Sequence, residues 1–249
     1  MSARFDAATD QLRISTGVFD YNAAYSILFW FMIVTDLNAI GTPFVIDSGS
    51  GSSNLDWVRL GNDGVRLELR VLNAAVGSSI IGTTLSVGTW YHLALVRESV
   101  TSCKLYLDGV LDITHTQDVT GRVASTRMQF GNRATLNDPA NCRVAAAIGY
   151  PGVALTIDQI KSQMVSMVPK TLNSTYHFWP MFPGATERLR DYGPGARNWT
   201  EAGTLTDEAG PPVAWGLYAP PQVVYSTTKF TRPTFKAMWR GMFRKMNLP

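Results

Sequence analysis

Apolar and polar side chains alternate over much of the first 150 residues. Val65, Leu67, Leu69 and Val71 are separated by Arg66, Glu68 and Arg70, the period of a strand with one buried face. Trp90 to Val96 and Cys103 to Leu107 repeat that period. The stretch GTWYHLALVRESVTSCKLYLDGVLDITHTQ, residues 88 to 117, therefore predicts strands, the last two joined at Asp108-Gly109. Glycine accepts the positive φ that so tight a turn imposes. Gly41-Thr-Pro, Gly49 to Ser53, Gly61-Asn-Asp-Gly and Asn137-Asp-Pro mark further turns. Many short strands at such spacing predict a β-sandwich.

Two segments break the alternation. In YSILFWFMIV, Tyr25, Ile27, Phe29, Phe31 and Ile33 point one way and Leu28, Trp30, Met32 and Val34 the other. Both faces are apolar, so both need a cover. One is the sandwich core; the other is a loop of the same domain, the C-terminal tail or another subunit. Further on, Thr156 and Gln159 have the spacing of a capping box, with Ile157, Ile160 and Met164 on one face. They predict one helix of about ten residues, closed by Pro169.

From residue 214 the pattern changes again. Pro220-Pro221 and Ser226-Thr-Thr read as an extended linker. Phe235, Met238, Trp239, Met242, Phe243 and Met246 then recur at helical spacing, with Lys236, Arg240 and Arg244 on another face. Pro233 suits a helix start, and Gly241 weakens the helix by about 1 kcal/mol relative to alanine. Charge sharpens this division. No acidic residue follows Glu208, whereas Lys229, Arg232, Lys236, Arg240, Arg244 and Lys245 do, so the tail carries +6. The remainder holds 16 basic against 19 acidic residues, or −3. The expected organisation is a sandwich over residues 1–213 and a basic amphipathic anchor over 214–249.

Composition adds exclusions. With 45% hydrophobic and 16% charged residues in 249, the chain can bury a sizeable core. The start, MSARFDAATD, has no basic end followed by an apolar stretch, so no secretory signal is read. The Tyr25–Val34 run is about half the ~20 residues of a membrane helix. Cys103 and Cys142, the only cysteines, are expected to be reduced thiols. His92, His115 and His177 are too scattered for a structural zinc site.

Several segments, in order, resemble laminin-G-like domains of the concanavalin A-like lectin/glucanase fold. Thr89-Trp-Tyr-His-Leu-Ala-Leu-Val followed by Lys104-Leu-Tyr-Leu-Asp-Gly resembles the family's hairpin. Ala3-Arg-Phe-Asp through Ile14 is similar to its opening strand, Ser26-Ile-Leu-Phe-Trp-Phe to its aromatic strand, and Met128-Gln-Phe-Gly-Asn to the strand after the hairpin. Ala147 to Ile160 resembles a late strand leading into a short helix, and Phe178-Trp-Pro-Met with Leu189 to Thr200 the closing segment. The resemblance spans roughly residues 3 to 205. It implies an all-β jelly roll of two antiparallel sheets with one short helix, of a kind that mostly binds sugars, proteins or calcium. Under it, the hairpin is scaffold.

Catalysis is not expected. Glycoside hydrolases flank the scissile bond with two carboxylates, about 5–5.5 Å apart in retaining enzymes; relatives carry them as Glu-x-Asp-x-x-Glu. None of Glu68, Glu98, Glu187, Glu201 and Glu208 stands in that pattern. Glu68, between arginines on a strand, reads as half of a cross-strand ion pair, and His92 as a sheet histidine. There is no nucleophile elbow. Calcium stays open as a cofactor, through Asp6 and Asp10 or through Asn132, Asn137, Asp138 and Asn141, although turn chemistry accounts for these residues as well. Where relatives often carry Asp-x-Ser-Gly-Asn-Gly-Asn, this chain has Asp191-Tyr-Gly-Pro-Gly-Ala-Arg-Asn, and Arg197 places a cation there. The basic residues of the body are scattered along the chain, which gives no aromatic-and-basic platform and no nucleic-acid partner. The sequons Asn173-Ser-Thr and Asn198-Trp-Thr need secretion to matter.

Together these features lead to a non-enzymatic virion structural protein of the capsid-decoration, head-fibre or tail-adhesion type, assembled in a host cytoplasm. The sandwich faces outward. Phe235, Met238, Trp239, Arg240, Met242, Phe243 and Arg244 dock it on capsid or tail subunits. A homo-oligomer and host surface glycans are further expected partners, and a membrane is not. The alternative is a carbohydrate-binding, lectin-like module of a bacterial surface system.

Overall fold

In the computed structural model, the described residues are 1–15, 17–20, 22–48, 53–74, 76–122, 124–133 and 138–213. The strands in chain order are β1 (Ser2–Phe5), β2 (Gln11–Ile14), β3 (Tyr25–Ile33), β4 (Gly41–Asp47), β5 (Leu55–Leu60), β6 (Arg66–Asn73) and β7 (Val76–Thr84). There follow β8 (Trp90–Ser99), β9 (Ser102–Leu107), β10 (Val110–His115), β11 (Arg127–Phe130), β12 (Cys142–Pro151), β13 (His177–Trp179), β14 (Thr200–Ala202) and β15 (Thr206–Glu208). One antiparallel sheet has the order β10-β9-β8-β3-β12-β1-β15, with β13 also on β12; the second runs β14-β2-β11-β4-β5-β6-β7. This is the jelly-roll sandwich that the alternation and the resemblance predict.

The inward positions of both sheets form one core. Leu67, Leu69 and Val71 of β6 enter it, as the period-2 pattern requires. So do Phe29, Phe44 and Phe130, whose rings meet at 4.9 to 5.5 Å, a spacing at which aromatic pairs add to their area burial. Asp108 (φ 48°) and Gly109 (φ 69°) make the turn between β9 and β10 with positive φ at both positions.

β3 is buried at every residue. Its core face carries Tyr25, Ile27, Phe29, Phe31 and Ile33. On the other face, Leu28 packs with Leu155, Ile160, Val168 and Phe178, so the second cover comes from the same domain. Helix α1 (Ile157–Met164) supplies part of it, and its capping box is complete: Gln159 N–H donates to Thr156 Oγ1 and Thr156 N–H to Gln159 Oε1. α1 is shorter than the ten residues expected and stops at Val165 rather than running to Pro169. The Gln163 side chain explains this, since its Nε2 donates to the carbonyls of Ser166 and Val168 and turns the chain inward. A second helix, α2 (Ala185–Leu189), is one that the sequence pattern did not signal. The linker and amphipathic helix expected over 214–249, with all seven docking residues from Phe235 to Arg244, lie outside the described residues.

Candidate functional site

The outward face of the second sheet concentrates cations. Strand register aligns Arg13 (β2), Gln129 (β11), Val45 (β4), Trp57 (β5) and Arg70 (β6) in one row. Trp57 is buried at 1% exposure and donates from Nε1 to Thr42 Oγ1 at 3.1 Å. Its indole is capped by guanidinium groups: Arg133 at 4.9 Å, Arg59 at 5.1 Å and Arg70 at 5.9 Å from the ring centre. Basic residues that are scattered in the chain thus meet in space over a buried indole, a cationic cluster without an exposed aromatic surface.

Two of these arginines have acidic partners. Arg59 Nε donates to Glu68 Oε2 at 2.6 Å, the cross-strand pair expected of Glu68, and Arg133 Nε lies 2.7 Å from Asp138 Oδ2. Among the described residues no carboxylate lies within ion-pair distance of Arg70 or Arg13. Burial lowers the Arg70 pKa, and the charges of Arg59 and Arg133 lower it further, while Glu68 and Asp138 oppose them. Around Trp57, three guanidinium groups against two carboxylates leave +1, in a half-buried setting that screens charge less than open water does. Arg13 adds a separate charge farther along the row. Beside it, Gly61, Asn62, Asp63, Arg66, Glu68 and Ile81 line an open depression of about 490 Å³.

Most of the residues weighed for calcium have other partners; Asn141 Oδ1 is buried with no hydrogen-bond partner among the described residues. Asp10 Oδ2 accepts the N–H groups of Asp6 and Ala7, and its Oδ1 that of Thr204. Asp6 pairs with Arg4 at 3.2 Å. Asn132 donates to Ala8 O and accepts from Arg133 and Asp138 N–H, while Asn137 lies outside the described residues. Asp191 accepts from the N–H groups of Phe178, Gly193 and Arg197 and sits 2.6 Å from His177 Nδ1. Among the described residues no three His, Cys, Asp or Glu side chains gather as metal ligands do.

Carboxylates weighed for hydrolysis are likewise engaged. Glu98 binds Lys104 at 2.7 Å, Glu187 accepts from the Tyr192 hydroxyl, and Glu208 pairs with Arg4 and Arg143 at 3.3 Å. Glu201 accepts from Leu205 N–H and lies 3.6 Å from Arg188. His92 is a buried sheet residue edge-on to Trp30, and burial pushes its pKa down to about 3. Cys103 and Cys142 are free and buried.

Sequence reasoning missed two polar clusters inside the fold. His177 stacks flat on Trp179 and bonds Asp191. Asp56, between the sheets, accepts from the Tyr25 hydroxyl, from Arg97 Nη2 at 2.6 Å and Nε at 3.0 Å, and from Arg122 Nη1 at 3.0 Å. The Asp56 cluster brings together residues far apart in the chain, whereas the Asp191 cluster closes a local segment; the structural role of each follows from its burial.

A two-sheet jelly roll is the frame of a lectin-type fold. The chain belongs to the concanavalin A-like lectin/glucanases superfamily, whose family model matches residues 6–160. Its fold is similar to that of a candidate carbohydrate-binding protein from Bacteroides ovatus, with a TM-score of 0.62 at 14% identity over 86% of this chain and 61% of that one. A heptameric SAP-like pentraxin from Limulus polyphemus gives 0.49 at 16% identity, over 65% of this chain and 80% of that one. A Trypanosoma rangeli sialidase gives 0.47 at 12% identity, over 58% of this chain and 23% of the sialidase. At these identities the likeness is one of fold. No curated protein sequence gives a significant match. No described helix is long and apolar enough to cross a membrane.

Proposed function

We propose that the chain is a non-catalytic display module: a lectin-type sandwich that binds carbohydrate on the outer face of its second sheet, held to a larger particle by residues 214–249. The observation that carries the binding half is the cluster of Arg59, Arg70 and Arg133 around Trp57, with Arg13 farther along the same row. Membership of a lectin/glucanase superfamily and the likeness to the Bacteroides ovatus candidate carbohydrate-binding protein agree with it. The glutamates support the non-catalytic half, since each is tied to a cation, a hydroxyl or a backbone N–H group.

The anchoring half rests on the sequence pattern of the tail, with six cations and an apolar stripe of Phe235, Met238, Trp239, Met242 and Phe243. Burying three of these side chains would contribute about 5–8 kcal/mol before entropic losses. By analogy of fold, the particle is a phage virion, with capsid or tail subunits as the docking partner. The second reading, a module of a bacterial surface system, shares the sugar site and differs in the assembly.

A glycan array probed with the full chain, with and without calcium, tests the binding half. Saturable binding to a restricted set of glycans is expected, and a blank array in both conditions refutes it. Omitting residues 214–249 tests the anchor: loss of incorporation into the native particle is expected, and unchanged incorporation refutes it.

A further inference from the structure

We infer that the ligand of the arginine face is an acidic oligosaccharide, held through carboxylate or sulfate groups by Arg70 and Arg13; this rests on the carbohydrate reading above and narrows it. An exposed indole would offer a neutral sugar ring an apolar surface to stack on. Here Trp57 is buried and its ring is covered by Arg59, Arg70 and Arg133. What the face presents instead is N–H forks, which match planar or tetrahedral oxyanions. Glu68 and Asp138 occupy two of those forks. Arg70 and Arg13 have no carboxylate within ion-pair distance among the described residues, and the like charges of Arg59 and Arg133 that crowd Arg70 are offset only in part by Glu68 and Asp138. An incoming oxyanion relieves that crowding, whereas a neutral ligand leaves it.

Spacing sets the ligand's size. Arg13 and Arg70 stand in one row four strand intervals apart, about 19 Å at the usual strand separation. A single sugar cannot reach both, but a short chain carrying two acid groups can. Trp57 and Val45 form a buried floor between them.

The test uses the full chain against polygalacturonate and its carboxyl-reduced form, and against dextran sulfate and dextran, by interferometry at 0.15 M salt. Each acidic polymer is expected to bind at least about tenfold more tightly than its neutral counterpart, and more weakly as salt rises. The tighter of the two acidic polymers identifies the preferred anionic group. Arg70→Gln and Arg13→Gln should each weaken binding about ten- to a hundredfold, with near-UV dichroism unchanged. Lys161→Gln, an equal charge change on α1 over the other sheet, should alter it less than about twofold. Equal binding of acidic and neutral polymers, or binding to none of the four, overturns the inference; the carbohydrate reading itself falls only with a blank glycan array. A single-stranded oligonucleotide binding as tightly as the acidic polymers, or full affinity in both arginine variants, also overturns it.

Discussion

Replacing Asp56 by asparagine keeps the side chain's shape and removes its charge. Arg97 and Asp56 have fully buried side chains, as has Arg122, and both guanidinium groups bind this one carboxylate. Breaking a buried ion pair from one side costs about 3–5 kcal/mol, because the surviving charge keeps its desolvation penalty and loses its partner. With a urea m-value of about 3 kcal/mol/M, the midpoint should fall by about 1 to 1.7 M at an unchanged m. A shift below about 0.3 M at pH 7 would refute the reasoning, since the network would then carry no net stability. Acid supplies a second check. Burial alone would push the Asp56 carboxyl up, but Arg122 and Arg97, with hydrogen bonds from Arg97 and Tyr25, hold it well below the usual carboxylate range. A depressed folded-state pKa stabilises above the unfolded value of about 3.9, and that contribution is lost as pH falls toward the folded value. The gap between wild type and Asp56→Asn should therefore be constant above about pH 5 and narrow below about pH 4.

Thr156→Ala removes the acceptor at the start of α1 and should cost about 1 kcal/mol in chemical unfolding; a loss above about 3 kcal/mol would mean that the hydroxyl does more than cap. Asp191→Ala strips a partner from three backbone N–H groups and His177 and should destabilise by about 3 kcal/mol or more, read as a fall in Tm. Burial pushes the Cys103 thiol up to about 12 and raises that of Cys142 further. Neither should react with a thiol reagent at pH 8 in the native protein, and both should react in denaturant.

The elements were legible wherever one face of a segment is buried and the other wet. β6, the Asp108-Gly109 turn and the Thr156 capping box stand where local pattern puts them. Local pattern misleads at Asn-Leu-Asp-Trp-Val, where the natural reading turns the aspartate to solvent. Asp56 instead faces the core and Trp57 faces outward, because Arg97 and Arg122 wait inside for the carboxylate and arginines outside cover the indole. The arginine face was illegible for a related reason. Arg59 and Arg70 meet through the pairing of β5 with β6, and Arg133 arrives from the turn after β11. Nothing in a linear reading records which strands become neighbours. The Asp191 turn was read as a weakened cation loop; its oxygens are filled by backbone N–H groups that no side-chain pattern encodes.

The opening strands bear on how the molecule is made. Among the described residues β1 pairs with β12 and β15 alone, and β2 with β11 and β14 alone, so each meets these partners only after more than a hundred further residues have left the ribosome. Contacts so distant in sequence make folding slow, since loop closure precedes any reward. During synthesis Phe5, Leu12 and Ile14 stay uncovered, and a chaperone that recognises short apolar stretches would meet this chain at its first fourteen residues.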